Sequence, residues 1–313
     1  MRIGAIDCGT NSLRLLIADV ETQNGVSTLH DVVRLMRIVR LGEGVDATGK
    51  FSEEALERTF KVAREYAQII SEHGVQSLRF GATSATRDAT NKDVFIQGIQ
   101  DILGVTPEII TGEEEAELSF YGALSSLGTS EGKTLVIDLG GGSTEFVLGD
   151  SHSLIAARSV NIGCVRLTER HQVTAPMSEE QRQRIIADVD EALEEVLNYV
   201  QLSQAQRVVG VAGTVTTIVA EHYGLESYNP QRINGAQLNV QEIEQACYRL
   251  AQMTAQERAE RGFMHPGRVD VIGTGAVIWA HIIRRLEQLT DGAVYSATAS
   301  EHDILDGLVL SQR

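Results

Sequence analysis

Three glycine-bearing turns carry residue types that hold phosphate: Asp7-Cys8-Gly9-Thr10-Asn11-Ser12, Asp138-Leu139-Gly140-Gly141-Gly142-Ser143 and Ala212-Gly213-Thr214. Glycine lets backbone N–H groups approach an anion closely, and Thr10, Asn11, Ser12, Ser143 and Thr214 add side-chain donors. The third turn opens a helix, whose N-terminus attracts negative charge. One such turn says little. Here the first two share Asp-x-Gly-x-x-Ser between apolar strands, so the set points to a phosphate-bearing ligand held between two lobes. None of the turns fits Gly-x-Gly-x-x-Gly or the Walker pattern, which disfavours Rossmann and P-loop readings.

Carboxylates lie beside these turns. Asp7 and Asp138 stand at strand ends, where a carboxylate can hold magnesium or its waters, or simply close an Asx turn. Their recurrence as a matched pair favours the metal role. Glu145 lies two residues beyond Ser143 on the outgoing strand and shares its face, so it could ligate the same metal or orient a water. Thr111-Gly112-Glu113-Glu114-Glu115-Ala116-Glu117 reads as a capping box with an acidic first turn. Within it, Ala116, Phe120, Ala123 and Leu127 form the buried stripe. Glu115, Ser119, Gly122 and Ser126 form a neighbouring stripe of small residues. Glu115 therefore borders the core without bulky cover, a position for a base facing a cleft.

Basic residues are fewer. Arg87, in Thr86-Arg87-Asp88, is a candidate for bidentate phosphate contact or a surface partner of Asp88. Arg34, Arg37 and Arg40 recur every three residues and, with Arg14, read as a basic strip or a solvated edge strand. Cys8 reads as a small buried filler.

These residues need elements to position them. Strand-like 3–6 and 13–20 flank the first turn, and 134–137 and 145–148 flank the second, the mark of a duplicated β-hairpin. Residues 52–71 predict an amphipathic helix with Ser52 as N-cap and Leu56, Phe60, Ala63, Ala67 and Ile70 on one face. Short strands at 78–80 and 107–110 precede a helix over 111–126. Further helices are expected near 178–201, 212–223, 240–252 and 267–289, with a strand at 207–211 and an irregular loop at 228–239. Length and alternation predict two α/β domains, 1–126 and 127–300, with a helix over about 301–313 packing back on the first.

Composition narrows the partners. Forty-three Asp and Glu against 27 Lys and Arg leave a formal net charge of −16, which disfavours nucleic acid and anionic membranes as partners. No apolar run is long enough to span a bilayer, and Asp7 arrives too early for a signal peptide. Three widely spaced cysteines fit neither a disulfide framework nor a zinc pattern, so cytoplasm is the expected compartment.

Taken together and in order, Asp7-x-Gly-Thr-Asn-Ser12, Ser84-Ala-Thr-Arg87, Thr111-Gly-Glu-Glu-Glu-Ala116, Ile137-Asp-Leu-Gly-Gly-Gly-Ser-Thr-Glu145 and Gly213-Thr214 span the chain. This set resembles the exopolyphosphatase and guanosine-pentaphosphate phosphohydrolase family, within the sugar-kinase, heat-shock-chaperone and actin superfamily. The resemblance implies an actin-like fold of duplicated mixed sheets flanked by helices, an active site in the interdomain cleft, and a homodimer. It implies magnesium-dependent release of terminal phosphate from inorganic polyphosphate, with guanosine pentaphosphate as the other substrate. By position, Glu115 becomes the general base. Glu145 assists and, with Asp138 and with Asp7 as a further candidate, holds Mg2+. Thr10, Asn11, Ser12, Arg87, Gly140, Gly141, Gly142, Ser143, Gly213 and Thr214 bind phosphate.

Two other readings share this fold or ligand. An ATP-using kinase or ATPase needs an adenosine pocket, and Thr214-Val215-Thr216-Thr217 has no second glycine pair for one. A non-catalytic sensor is opposed by the presence of Glu115, Asp138 and Glu145 together. Long family members carry extra C-terminal helical domains, whereas this chain stops at Arg313, so shorter polyphosphate chains are the expected substrate. Asp306 stands where many relatives carry an Arg before the final glycine, and His302 reads as a helix-start residue. A polyanionic substrate for an acidic chain also requires Arg14, Arg34, Arg37, Arg40 and Arg87 to gather in one cleft.

Overall fold

The computed structural model describes residues 1–23, 26–127, 132–150 and 153–312. The chain divides into two compact units, Met1–Ser125 with Ile304–Arg313, and Ser126–Asp303. No helix among the described residues is long and apolar enough to cross a membrane.

The first unit is built on β1 (Arg2–Cys8), β2 (Ser12–Gln23), β3 (Val26–Ile38), β4 (Ser77–Ala82) and β5 (Glu108–Ile109), in the order β3-β2-β1-β4-β5. β1 to β3 form an antiparallel meander, and β4 and β5 continue the sheet in parallel. Both faces are covered, which is why β1 is apolar at nearly every position. On one face Ile6, Leu13, Leu15 and Phe80 pack with Leu56, Phe95 and Ile99. On the other, Ile3, Ala5 and Leu16 pack with Leu118 and with Ile304, Leu305 and Leu308. Ser52 caps the helix Glu53–Glu72 by accepting from the Ala55 N–H at 3.1 Å, as its sequence predicts.

The expected basic strip is not a strip. Side chains alternate along β3, so Arg34 and Arg37, three positions apart, leave opposite faces of the sheet. Arg34 donates to Asp306 Oδ1 at 2.5 Å and to Asp31, whereas Arg37 donates to Glu65 in the helix Glu53–Glu72 at 2.7 Å. Arg40 lies beyond the strand with φ 50°.

The final helix runs Ile304–Leu310 and belongs to the first unit, while residues 301–303 belong to the second. Arg313, which the sequence reading included in this helix, lies outside the described residues. The helix packs closely: a Cβ at Gly307 would stand 2.1 Å from the Leu118 carbonyl oxygen. The neighbouring Asp306 is wholly buried, with Arg34 as its ion-pair partner.

The second unit repeats the plan with β6 (Thr134–Leu139), β7 (Thr144–Gly149), β8 (Leu154–Val160), β9 (Arg207–Val211), β10 (Gln237–Asn239) and β11 (Ser296–Ala299). Their order is β10-β11-β9-β6-β7-β8, again an antiparallel meander extended by parallel strands, β9 and β11, with β10 added antiparallel at the edge. The helices Glu179–Leu197 and Ile272–Leu289 bury Ile185, Val189, Ile278, Trp279 and Ile282 in its core. Gly210 makes room for this packing, since a Cβ there would stand 2.5 Å from the Trp279 ring. The stretch 228–239, read as irregular, contains a short helix, Pro230–Ile233, and the edge strand β10. Two mixed sheets flanked by helices are the duplicated α/β architecture of the actin-like fold. The register is duplicated as well: Asp7 faces Arg14 across β1 and β2, and Asp138 faces Glu145 across β6 and β7.

The buried Asp306 makes the stability of the first unit testable. Removing one partner of a buried ion pair strands the other's charge, which costs about 3–5 kcal/mol. Arg34→Met is therefore expected to lower stability by that order in urea denaturation followed by circular dichroism. Adding Asp306→Asn should recover most of the loss. An unchanged midpoint for Arg34→Met would contradict this account of the helix.

Candidate active site

In each unit the chemistry-bearing residues collect where parallel strands end, the edge at which open α/β sheets place ligands. In the first unit, Asp7 is paired in register with Gly81 near the ends of β1 and β4, and Thr83 N donates to the Cys8 carbonyl just beyond. The first turn is braced by Gly9 N donating to Ser12 O at 3.0 Å. It is also braced from outside, because Val39 N and Arg40 N both donate to Asn11 O and Gly42 N donates to Thr10 O. Thr10 Oγ1 is buried without a hydrogen-bond partner.

Glu115 lies in the first turn of the helix Gly112–Leu127, and only 8% of its surface is exposed. Half of the predicted capping box forms, with Glu114 N donating to Thr111 Oγ1 at 3.2 Å, while Glu114 itself pairs with Arg79. The stripe reading is supported by position: Ser119 and Gly122, one and two turns on, are buried small residues. Arg87 Nη1 donates to Glu115 Oε2 at 2.6 Å and to the Ile110 carbonyl at 2.9 Å. Burial raises the Glu115 carboxyl above the ordinary glutamate value, against the lowering pull of Arg87; the Asp7 charge raises it further and the Thr83 hydroxyl bond lowers it. Arg87 thus meets a buried carboxylate. Asp7 is engaged too: Arg14 Nε and Nη2 both donate to its Oδ2 at 2.8 Å.

In the second unit the turn after β6 repeats the first, with Gly140 N donating to Ser143 O at 3.1 Å. Cys164 N donates to Gly140 O, and Val165 N and Arg166 N donate to Gly141 O. The contact is so close that a Cβ on Gly163 would stand 2.4 Å from Gly141 O. Glu145 is almost fully buried, and Ser143 Oγ and Ser159 Oγ each donate to its Oε1 at 2.7 Å. Asp138, also buried, is its register partner. In register, the two carboxylates share one face of the hairpin. Among the described residues no group of three or more His, Cys, Asp or Glu side chains could hold a metal alone. Two carboxylate donors still suit magnesium, which keeps waters and takes substrate phosphates for the rest of its shell.

The third turn follows β9 beside β6, where Asp138 pairs in register with Val211. Ala212 has φ 72°, a left-handed conformation that costs a non-glycine residue about 1–2 kcal/mol and is tolerated mainly where function demands it. The helix Ala212–His222 begins there with no side-chain cap. Sequence reasoning missed two arginines at these turns. The Arg268 guanidinium lies over Gly213, where a Cβ would stand 2.1 Å from its Nη2. Arg166 Nε donates to Gly142 O at 2.6 Å. Neither sits in a recognisable motif, so only the fold brings them to the glycines. Cys164 is held as a thiol, its pKa pushed up to about 11 by burial, and Cys8 is a buried thiol as expected.

Comparison with known proteins agrees over the whole chain. A profile of the Ppx/GppA phosphatase family matches residues 16–312. Exopolyphosphatase 2 of Mycobacterium tuberculosis is 46% identical over 315 residues, covering 99% of this chain and 98% of that protein. A guanosine-5'-triphosphate,3'-diphosphate pyrophosphatase of Aeromonas hydrophila is 29% identical, covering 96% of this chain and 60% of its own length. The crystal structure of an exopolyphosphatase-like protein, 44% identical, superposes with a TM-score of 0.93 and covers 99% of this chain and 98% of its own. The chain therefore belongs to the Ppx/GppA phosphatase family.

Proposed function

We propose that this protein is an exopolyphosphatase, a phosphoanhydride hydrolase that releases terminal orthophosphate from inorganic polyphosphate. The observation that carries the reading is Glu115, a buried carboxylate with raised proton affinity, fixed by Arg87 beside a glycine turn. A base works best when its pKa approaches the working pH, and burial moves Glu115 that way. In this reading Glu115 takes the proton from the attacking water. Thr10, Asn11 and Ser12 in the first unit, and Gly140–Ser143 and Gly213-Thr214 in the second, hold phosphate oxygens through N–H and hydroxyl donors. Arg87 orients Glu115 and belongs to the phosphate-binding set of this reading. Ser143 and Ser159 fix Glu145, so that its carboxylate and that of Asp138 stay in place. Magnesium, held by Asp138 and Glu145, would neutralise charge on the phosphoryl oxygens.

The full-length identity to an exopolyphosphatase supports this substrate over guanosine pentaphosphate. The latter rests on a relative of lower identity that the chain spans only in part. A cytoplasmic compartment belongs to the same reading, supported by three buried free cysteines. A homodimer is carried by the family resemblance alone.

Glu115→Gln is expected to lower phosphate release by about 10²–10⁴-fold while polyphosphate binding is retained, since only the proton acceptor is lost. Turnover close to that of the parent would refute the assignment. Removing divalent metal with a chelator should abolish release, and added magnesium should restore it, with Asp138→Asn needing far more. Full activity after chelation would remove magnesium from the account. Because the base must be ionised, kcat/KM should fall on acidification through a pKa above the ordinary glutamate value of about 4.3.

A further inference from the structure

Arg258, in the short helix Ala255–Ala259 of the second unit, is wholly buried. Taking a guanidinium out of water is costly unless its donors find partners. Arg258 directs them to the main chain: Nε donates to Leu250 O at 2.9 Å, Nη2 to Ala251 O at 3.3 Å and Nη1 to Val269 O at 3.0 Å. Leu250 and Ala251 stand in the last turn of the helix Val240–Gln252, where carbonyls lack partners within the helix. One side chain therefore ties that helix end to Val269.

Val269 directly follows Arg268, the last residue of the short turn Pro266–Arg268. The turn is fixed internally, with Arg268 N donating to His265 O at 2.9 Å and Gly267 N donating to His265 Nδ1 at 3.1 Å. From it the Arg268 side chain reaches the third glycine turn. Its Nη1 donates to Thr217 Oγ1 at 3.3 Å, and Thr217 Oγ1 in turn donates to Gly213 O at 2.6 Å. Its Nη2 fills the space that a side chain at position 213 would need.

We propose that Arg258 is a positioning residue for this turn: by holding the Val269 carbonyl it sets where Arg268 leaves the chain, and so keeps that guanidinium over Gly213. The inference rests on the hydrolase reading above, in which Gly213 and Thr214 hold phosphate; a guanidinium there adds donors suited to the same oxygens. Capping the helix Val240–Gln252 would need only Nε and Nη2. The third bond, from Nη1 to Val269, is the one that carries the role.

Gly273 offers a way to disturb the clamp without removing its charge. It lies in the first turn of the helix Ile272–Leu289, and a Cβ there would stand 2.3 Å from Arg258 Nη2, 3.0 Å from Cζ and 3.2 Å from Nη1. Alanine is a better helix former than glycine, so Gly273→Ala should fold while pushing the guanidinium away from Val269.

The test is a double-mutant cycle on kcat/KM for phosphate release from polyphosphate. It uses the full-length parent, Gly273→Ala, Arg258→Met, Arg268→Ala, and Arg268→Ala combined with each of the first two. Gly273→Ala and Arg258→Met are each expected to lower kcat/KM by about ten- to a hundredfold, the scale of an ångström-sized misplacement. Arg268→Ala should lose at least as much. Once Arg268 is gone, adding Gly273→Ala should cost less than about twofold more, because the residue it acts through is absent. A clamp that only stabilised the fold would give losses that multiply. Should Arg258→Met fail to fold, the Gly273→Ala arm completes the cycle by itself. Parent-like kcat/KM in Gly273→Ala or Arg268→Ala, or losses that multiply in the double variant, would overturn the inference while leaving the hydrolase reading intact. Absence of phosphate release from the parent would overturn the reading and the inference with it.

Discussion

A buried carboxylate depends on the groups bonded to it, and for Glu115 that group is Arg87, whose charge opposes the rise in proton affinity that burial imposes. Much of the first unit exists to hold that pair. Arg87 is anchored on the Ile110 carbonyl, and Ile110 is itself tied to β4 through its N–H to Ala82 O. Glu115 sits on a helix whose next turn carries Leu118, and the last helix of the chain presses on Leu118 so closely that only glycine fits at position 307. The buried Arg34–Asp306 pair then secures that last helix to the sheet. The placement of Glu115 thus depends on packing by the final residues of the chain.

The second unit solves a different problem with the same hairpin. Its turn is glycine at three successive positions, and a fourth glycine, Gly163, lets a neighbouring segment lean on the loop. Rigid N–H groups aimed at an anion lose little on binding it, which is the value of a braced loop over a mobile one. Glu145 is similarly fixed by two hydroxyls on one oxygen. The two hairpins therefore share the glycine turn and differ in the facing residue, arginine in one unit and glutamate in the other.

Much of this could be read from the amino acids. Asp-x-Gly-x-x-Ser between apolar strands revealed both hairpins, and Ser52 with its apolar stripe marked the helix that begins at Glu53. Glu115 stood out because small residues share its stripe. What stayed hidden depends on geometry beyond local periodicity. Spacing made Arg34, Arg37 and Arg40 look like a strip, but alternation along β3 sends the first two to opposite faces and into ion pairs with Asp306 and Glu65. Asp306 seemed only a departure from relatives until the fold brought Arg34 to it. Arg166 and Arg268 lie in unremarkable stretches, and their approach to Gly142 and Gly213 is a property of tertiary packing. If the proposed polyanionic substrate is right, this acidic chain meets it with braced N–H groups and a few individually placed arginines rather than a broad basic face.

The central claim is that these turns and this base act on a phosphoanhydride at the end of an inorganic chain. Its most direct test is phosphate release measured in parallel on polyphosphate, guanosine pentaphosphate and ATP under identical magnesium. Release from polyphosphate is expected at the highest kcat/KM, with the polymer shortening from its end. Release from ATP alone would contradict it.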